Sequence, residues 1–466
     1  MNKLIIAIFS FLIATNLFAQ NVISGSWNGI LEIQGMQLRL VFHIIETDNG
    51  FVSTMDSPDQ GAKGIPVTST IFESPTLKLQ VSNARIEYIG EFSGNQITGI
   101  FKQAGKELPL SLARENAKKE AVTLKPQEPI PPLSYYTENI NFKNEKTNFT
   151  LAGTLSLPSE EGKYPVVILI SGSGPQNRDG EIMVHKPFLV IANYLTENGI
   201  GVLRYDERGV GESEGDFRSA TFKDFASDVS SAVNYLKTRS GIDFEKIGLI
   251  GHSEGGLVAP MVVSKSNDIA FMVLLAAPGV CGDRLLLKQQ EMIAKASGVS
   301  EQEFEKSKEI NAKIFEMVQN CGEDIEALRS DLKKYFEDNL KNAPKSKPEE
   351  MSIDQLVSLQ VNQITNSWMM HFLKYDPALA LQRVKCPVLA LNGEKDLQVS
   401  SRENLKAIKK SLKKGKNRNV TTEELEGLNH LFQECTTGLP NEYSKLDQTI
   451  SPVALEKVFT WIKGLL

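Results

Sequence analysis

The stretch KIGLIGHSEGGLVAP, Lys246 to Pro260, decides how the chain is read. A short apolar run, Ile247 to Ile250, meets Gly251-His252-Ser253-Glu254-Gly255, and a small-residue helical pattern follows without a break. An apolar run of this length beside glycine reads as a buried strand, and the segment after it as a helix. A serine between two glycines at such a corner has a physical use. The turn is strained, the hydroxyl stands clear of the backbone, and the glycines relieve the crowding. A glycine-rich turn without chemistry has the same letters, so the surrounding pattern must decide.

Strands and helices alternate on both sides of that corner. FTLAGTLSLP reads as a strand, YPVVILISGSG as a buried strand, HKPFLVIANYLTENG as a helix, IGVLRYDERG as a strand and FKDFASDVSSAVNYLKTR as a helix. After the quoted stretch come the buried strands of IAFMVLLAAPG and CPVLALNGEKD, and PVALEKVFTWIKGLL closes the sequence as an amphipathic helix. This alternation predicts an α/β fold with a mostly parallel sheet flanked by helices. Ser253 then sits at the C-terminal end of a central strand, where open α/β sheets place their sites. Between the last two buried strands, at about 283–375, a Glu-, Lys-, Gln- and Leu-rich segment with helical spacing predicts an inserted helical layer. It leaves the sheet at the end that carries Ser253, which favours a lid over a packing or dimerisation appendage.

The first part has a different texture. Short alternating segments such as QLRLVFHII, TLKLQV and RIEYIGEF, separated by turn residues, predict an all-β domain over 20–115, as an antiparallel sheet or small barrel. A charged, Pro-rich stretch at 116–133 predicts a linker, leaving 134–466 as the second domain. Before them, MNKLIIAIFSFLIATNLFAQ has one lysine, an apolar run and small residues near Ala19, the pattern of a signal peptide at 1–19. A retained anchor would need a longer apolar run, and no later stretch is long enough to span a bilayer. The mature chain is therefore expected to be exported, to the periplasm or beyond, with no membrane span.

The 466 residues are 41% hydrophobic and 23% charged, an ordinary globular balance, with a net charge of −6. That charge, and the lack of a basic block that could track a phosphate backbone, argue against nucleic acid as a partner. Cys281, Cys321, Cys386 and Cys435 follow no zinc spacing and are expected to form one disulfide at most.

A serine hydroxyl needs a histidine base, itself oriented by a carboxylate. With five histidines, elimination is practical. His43 lies in the β domain, His185 starts a helix, His252 should point away from its neighbour Ser253, and His371 ends the insertion. His430, in EGLNHLFQE, follows the last strand-like segment in a loop and is the preferred base. The acid should project from the end of a preceding strand. Asp396 in VLALNGEKD meets that requirement, and Glu394 is its close competitor.

A developing oxyanion needs two preorganised donors. The amide of Glu254, at the start of the helix after the corner, is one. Ser173 in the glycine-rich loop ISGSGPQNRDG is the first choice for the other, with Gly174 next. The loop lacks the lysine of a phosphate-binding G-x-x-x-x-G-K-[ST]. Arg178 and Asp179 are expected to fix it by pairing with each other.

With SGSGPQNRDG, RYDERGVGESEG, GHSEGG, NGEKD and GLNH in this order, the chain from about Tyr135 onward resembles the α/β-hydrolase superfamily. More narrowly, it is similar to exported bacterial serine esterases with an N-terminal β domain, which are related to serine aminopeptidase-like hydrolases. Their loop commonly reads H-G-S-G-P where this chain has Ser171 to Pro175. The resemblance implies a carboxylic ester hydrolase that needs neither cofactor nor metal, with Ser253, Asp396 and His430 as catalytic residues. Small-molecule esters, acylated sugars among them, are the substrates expected. An aminopeptidase or acyl-peptide hydrolase is the alternative within enzymes, and a non-catalytic binding protein on a hydrolase scaffold is the alternative outside them.

Overall fold

The computed structural model describes residues 23–33, 36–47, 50–57, 62–103, 106–114, 125–341 and 353–466. The expected signal peptide and residues 116–124 of the expected linker lie outside these. The chain divides into two units, the first holding the described residues up to 114 and the second those from 125 onward. No helix among the described residues is long and apolar enough to cross a membrane.

The first unit is a nine-stranded antiparallel sheet. Its strands are β1 (Gly25–Ile33), β2 (Met36–Thr47), β3 (Gly50–Ser57), β4 (Ala62–Val67), β5 (Ser69–Glu73), β6 (Thr76–Val81), β7 (Ile86–Ser93), β8 (Gln96–Gln103) and β9 (Lys106–Arg114). They lie in the order β4-β3-β2-β1-β9-β8-β7-β6-β5, so the two edge strands are consecutive in the chain, joined by Thr68 alone. The sheet must curl for one residue to bridge its edges, and Thr70 Oγ1 of β5 reaches Ser53 Oγ of β3 at 2.9 Å. Alternate residues point inward, as Leu77, Leu79 and Val81 of β6 do, and the enclosed core holds Trp27, Phe42, Tyr88 and Phe101. The buried Tyr88 hydroxyl donates to the carbonyls of Ile97 and Leu110, which satisfies a polar group that would otherwise be costly inside.

The second unit is built on β10 (Tyr136–Lys143), β11 (Thr150–Leu157), β12 (Tyr164–Ile170), β13 (Gly201–Tyr205), β14 (Ile242–His252), β15 (Phe271–Leu275), β16 (Val388–Gly393) and β17 (Val420–Leu425). The order is β10-β11-β13-β12-β14-β15-β16-β17. The pairs β10–β11 and β11–β13 are antiparallel, and β13 through β17 of that order pair parallel. From β12 the chain first crosses to β13 on one side, then returns to β14 on the other. The order therefore reverses between β12 and β14, which opens a crevice at their C-terminal ends. The loop starting at Ser171 and the corner at Ser253 leave from those two ends.

Helices cover both faces, so the central strands are apolar on both sides. On one face α1 (Pro187–Glu197) and α12 (Pro452–Lys463) bury Ile191, Leu195, Leu455 and Val458 against Val167, Leu169, Ile250 and Val273. On the other, α2 (Phe222–Lys237), α3 (Gly255–Val263) and α10 (Ser401–Lys414) pack on Val166, Ile168, Leu249 and Leu274. Between β15 and β16 stand α4 (Gly282–Ala296), α5 (Glu301–Asn320), α6 (Ile325–Lys341), α7 (Ile353–Ile364), α8 (Ser367–Lys374) and the short α9 (Ala378–Leu381); α11 (Pro440–Tyr443) follows β17. The inserted helices have a core of their own around Phe315, Val318, Leu332, Val357 and Leu373. The α5 start is legible in its letters, because Ser300 and Glu303 form a reciprocal capping box. All four cysteines are unbridged.

Candidate active site

Ser253 lies between the end of β14 and the start of α3 at φ +52°, a left-handed conformation that costs an L-residue roughly 1–2 kcal/mol. The flanking glycines are required by close approach. A Cβ on Gly251 would lie 2.2 Å from the Gly255 carbonyl oxygen, and one on Gly255 would lie 2.2 Å from that of Ile170. The Ser253 amide is held by the Leu275 carbonyl at 2.8 Å, across on β15. The turn is thereby pinned to both strands that neighbour β14.

His430 stands in a short loop after β17, closed by Asn429, whose side-chain oxygen accepts the amides of Leu431 and Gln433. Its Nδ1 is 2.8 Å from Asp396 Oδ2. Asp396 follows β16 and is buried; Oδ1 accepts the amides of Gln398 and Val399 at 2.8 Å each, and Oδ2 also accepts from Asn392 Nδ2. With the carboxylate as acceptor, the His430 proton sits on Nδ1 and Nε2 is left with a free lone pair. Glu394 is exposed and accepts the Gly427 amide at 3.0 Å, bracing the turn without reaching His430.

No hydrogen bond joins Ser253 Oγ to His430. The two are linked through His252, whose Nε2 donates to the His430 carbonyl at 3.0 Å with the imidazole centroids 5.0 Å apart. Burial pushes the His252 ring down to about 4, so it is a neutral spacer between β14 and the His430 loop. Catalytic hydrogen bonds are often long in the absence of substrate. Of the other histidines, His185 is spent on Thr449 Oγ1 and the Tyr443 carbonyl, and His371 packs 5.1 Å from the Phe222 ring centroid.

The first unit contains a second line of the same residue types. Ser26 Oγ is 2.8 Å from His43 Nδ1, and His43 Nε2 is 2.9 Å from Asp56 Oδ2, across β1, β2 and β3. Ser26 pairs with His43 inside a regular ladder, without a strained corner or a helix start beside it. A relay without preorganised donors lacks the largest single contribution to acyl transfer.

The loop after β12 lies against Ser253, since a Cβ on Gly172 would be 3.3 Å from that of Ser253. Ser173 is exposed, and neither its amide nor that of Glu254 donates to a protein group among the described residues. Arg178 and Asp179 do not pair with each other as expected. Arg178 grips Asp206 at 2.7 Å and Glu212 at 2.5 Å, while Asp179 pairs with Arg204. Asp206, just after β13, is buried and requires a cation, which the loop after the neighbouring strand β12 supplies.

Two further groups were not visible in the sequence. The Glu254 side chain is buried, and its Oε2 accepts from Trp368 Nε1 of α8 at 2.9 Å. Burial pushes its carboxyl up to about 7. Glu207, after β13, is buried against the loop that begins at Ser171. Among the described residues no group of three His, Cys, Asp or Glu side chains is placed to hold a metal ion.

A doubly flanked sheet with this order, and a strained serine corner at its switch point, define a serine hydrolase of the α/β type. The chain belongs to the family described as serine aminopeptidase, S33, whose model matches residues 185–434. It is 32% identical over 154 residues to Esterase EstD of Thermotoga maritima, a match that covers 32% of this chain and only 37% of EstD. It is 28% identical over 256 residues, 54% of this chain and 80% of the relative, to an uncharacterized 31.7 kDa protein of Escherichia coli. It is also 31% identical over 160 residues to human dipeptidyl peptidase 8, covering 32% of this chain and 17% of that protein.

Proposed function

We propose that this hydrolase cleaves carboxylic esters through an acyl-enzyme, with Ser253 as nucleophile, His430 as base and Asp396 as orienting acid. The observation that carries the reading is the 2.8 Å contact between His430 Nδ1 and Asp396 Oδ2, with the His430 ring 5.0 Å from that of His252, the residue before the strained Ser253 corner. His430 Nε2 takes the proton as Ser253 Oγ attacks the ester carbonyl, and the carbonyl electrons move to oxygen. The Ser173 and Glu254 amides receive that oxyanion at the start of α3, where the helix dipole also favours negative charge. As the carbonyl re-forms, the alkoxide leaves with the proton from His430. Water, activated in the same way, releases the acid and restores Ser253.

The substrates in this reading are small or medium acyl esters, acylated sugars among them, and the inserted helices are a lid that bounds the acyl pocket. Trp368 supports the lid role by bringing α8 to the residue after Ser253. The N-terminal sequence supports an exported chain, acting in the periplasm or outside the cell. A peptidase is the second reading, favoured by the family's description and the dipeptidyl peptidase match.

A panel of p-nitrophenyl esters and aminoacyl anilides, assayed with residues 20–466 and with Ser253→Ala, tests the proposal. Ester turnover lost in the variant is expected. Anilides turned over faster than every ester would establish the peptidase reading, and full ester turnover in Ser253→Ala would remove the nucleophile.

A further inference from the structure

Three consecutive buried charged residues, Asp206, Glu207 and Arg208, follow β13 directly. Two have ionic partners: Asp206 pairs with Arg178, and Arg208 pairs with Asp228 at 2.8 Å. Glu207 has no cation among the described residues. Its carboxyl is occupied by two neutral donors instead, the Ser171 hydroxyl on Oε1 at 2.8 Å and the Gln176 amide on Oε2 at 2.9 Å. Its own amide returns to the Gln176 carbonyl at 3.2 Å. Burying a carboxyl without a counter-charge is costly, so an acid kept there should have a task.

The two donors stand at the two ends of one loop. Ser171 follows β12 and Gln176 closes the glycine-rich turn, so Glu207 spans the segment that contains Ser173. Within the segment, Gly174 sits at φ +89° and the Ser173 amide has no protein partner among the described residues; the Gln176 side chain reaches Ser173 on the other side, its Nε2 donating to the Ser173 carbonyl at 3.3 Å. The buried Ser171 hydroxyl is spent on Glu207. We infer that Glu207 is a positioning residue for the reaction: it clamps both ends of the Ser171–Gln176 loop and so holds the Ser173 amide beside Ser253. This rests on the reading of that amide as an oxyanion donor.

A clamp of this kind acts on the transition state. Losing it should lower kcat and leave KM nearly unchanged, because the ground-state carbonyl depends little on the donor. Removing one oxyanion donor outright costs about 10² to 10³ in kcat, so a donor that is only loosened should cost about 10 to 10².

The experiment measures kcat and KM per phosphonate-titrated site, and the affinity for a trifluoromethyl ketone that forms a tetrahedral adduct. Glu207→Ala and Ser171→Ala are expected to lose kcat and ketone affinity by a common factor, larger for Glu207→Ala. Glu207→Gln should stay within about threefold of the parent, since its oxygen accepts from Gln176 and its amide donates to the Ser171 hydroxyl. If Glu207→Ala lowered Tm but left both readouts unchanged, the acid would be structural only. Should that variant fail to fold, unchanged readouts in Ser171→Ala would overturn the inference on their own. Ser173→Pro, which deletes the amide hydrogen, separates the two levels. Its inactivity beside unaffected clamp variants would refute the clamp alone, whereas its full activity would refute the donor and the clamp together.

Discussion

Trp368 Nε1 donates to Glu254 Oε2 at 2.9 Å, which ties the inserted helices to the residue that follows Ser253. The contact joins positions 114 residues apart. It is the terminal polar contact of an aromatic face, because Trp368 stacks on Phe372 at 5.2 Å and both rings meet Phe222 of α2 edge-on.

Glu254 should make stability depend on pH. Its carboxyl is raised from 4.5 to about 7, so the folded chain keeps a proton that the unfolded chain releases. This stabilisation is full below about pH 4.5 and is lost as pH rises through 7, a swing on the order of 3 kcal/mol. Glu254→Gln should match the parent in urea unfolding at pH 4.5 and exceed it at pH 8. Trp368→Phe removes a donor that favours the ionised carboxyl, so it should move the pH window upward. An identical pH dependence in all three proteins would sink the assignment.

The identity of the acid is open to a paired test. Asp396→Asn should lower kcat by about 10³ to 10⁴, the scale seen when a triad acid is made neutral. Glu394→Gln should cost less than about tenfold, because that side chain serves the Gly427 amide and lies outside the proton path. Reversed effects in two folded variants would transfer the role to Glu394.

Labelling distinguishes the two serine–histidine–aspartate lines. A fluorophosphonate should modify Ser253 and leave Ser26 unmodified, since Ser26 has the relay without the strained corner. Peptide mapping that found the adduct on Ser26 would show that the first unit is itself reactive.

The corner at Ser253 was legible because three cues coincide there: an apolar run, paired glycines and a helical pattern. The preference for Asp396 over Glu394 came from the superfamily's pattern at NGEKD, and the structure adds the reason that only Asp396 lies within reach of His430. Pairings between distant loops were not legible. Arg178 sits next to Asp179 in sequence, yet the unmet charge of Asp206, after the neighbouring strand β13, takes it. Glu207 and Trp368 reach partners 36 and 114 positions away, and nothing local in the letters specifies either distance. The Ser26, His43 and Asp56 line is equally silent, because each residue reads alone as an ordinary outward-facing strand position.

The left-handed conformation of Ser253 inverts a familiar ranking of substitutions. Glycine in place of alanine ordinarily weakens a fold, through the freedom it gives the unfolded chain. At φ +52° the alanine keeps the strain of the serine and the glycine is released from it. Ser253→Gly should therefore melt above Ser253→Ala, by about 0.5–1 kcal/mol at the transition, although both lack the hydroxyl. Thermal unfolding of the two in parallel reads the difference, and a glycine variant that melts below the alanine variant would deny it. A chain free to relax this corner would be sturdier and inert, so the hydroxyl's prominence is maintained against the fold's own preference.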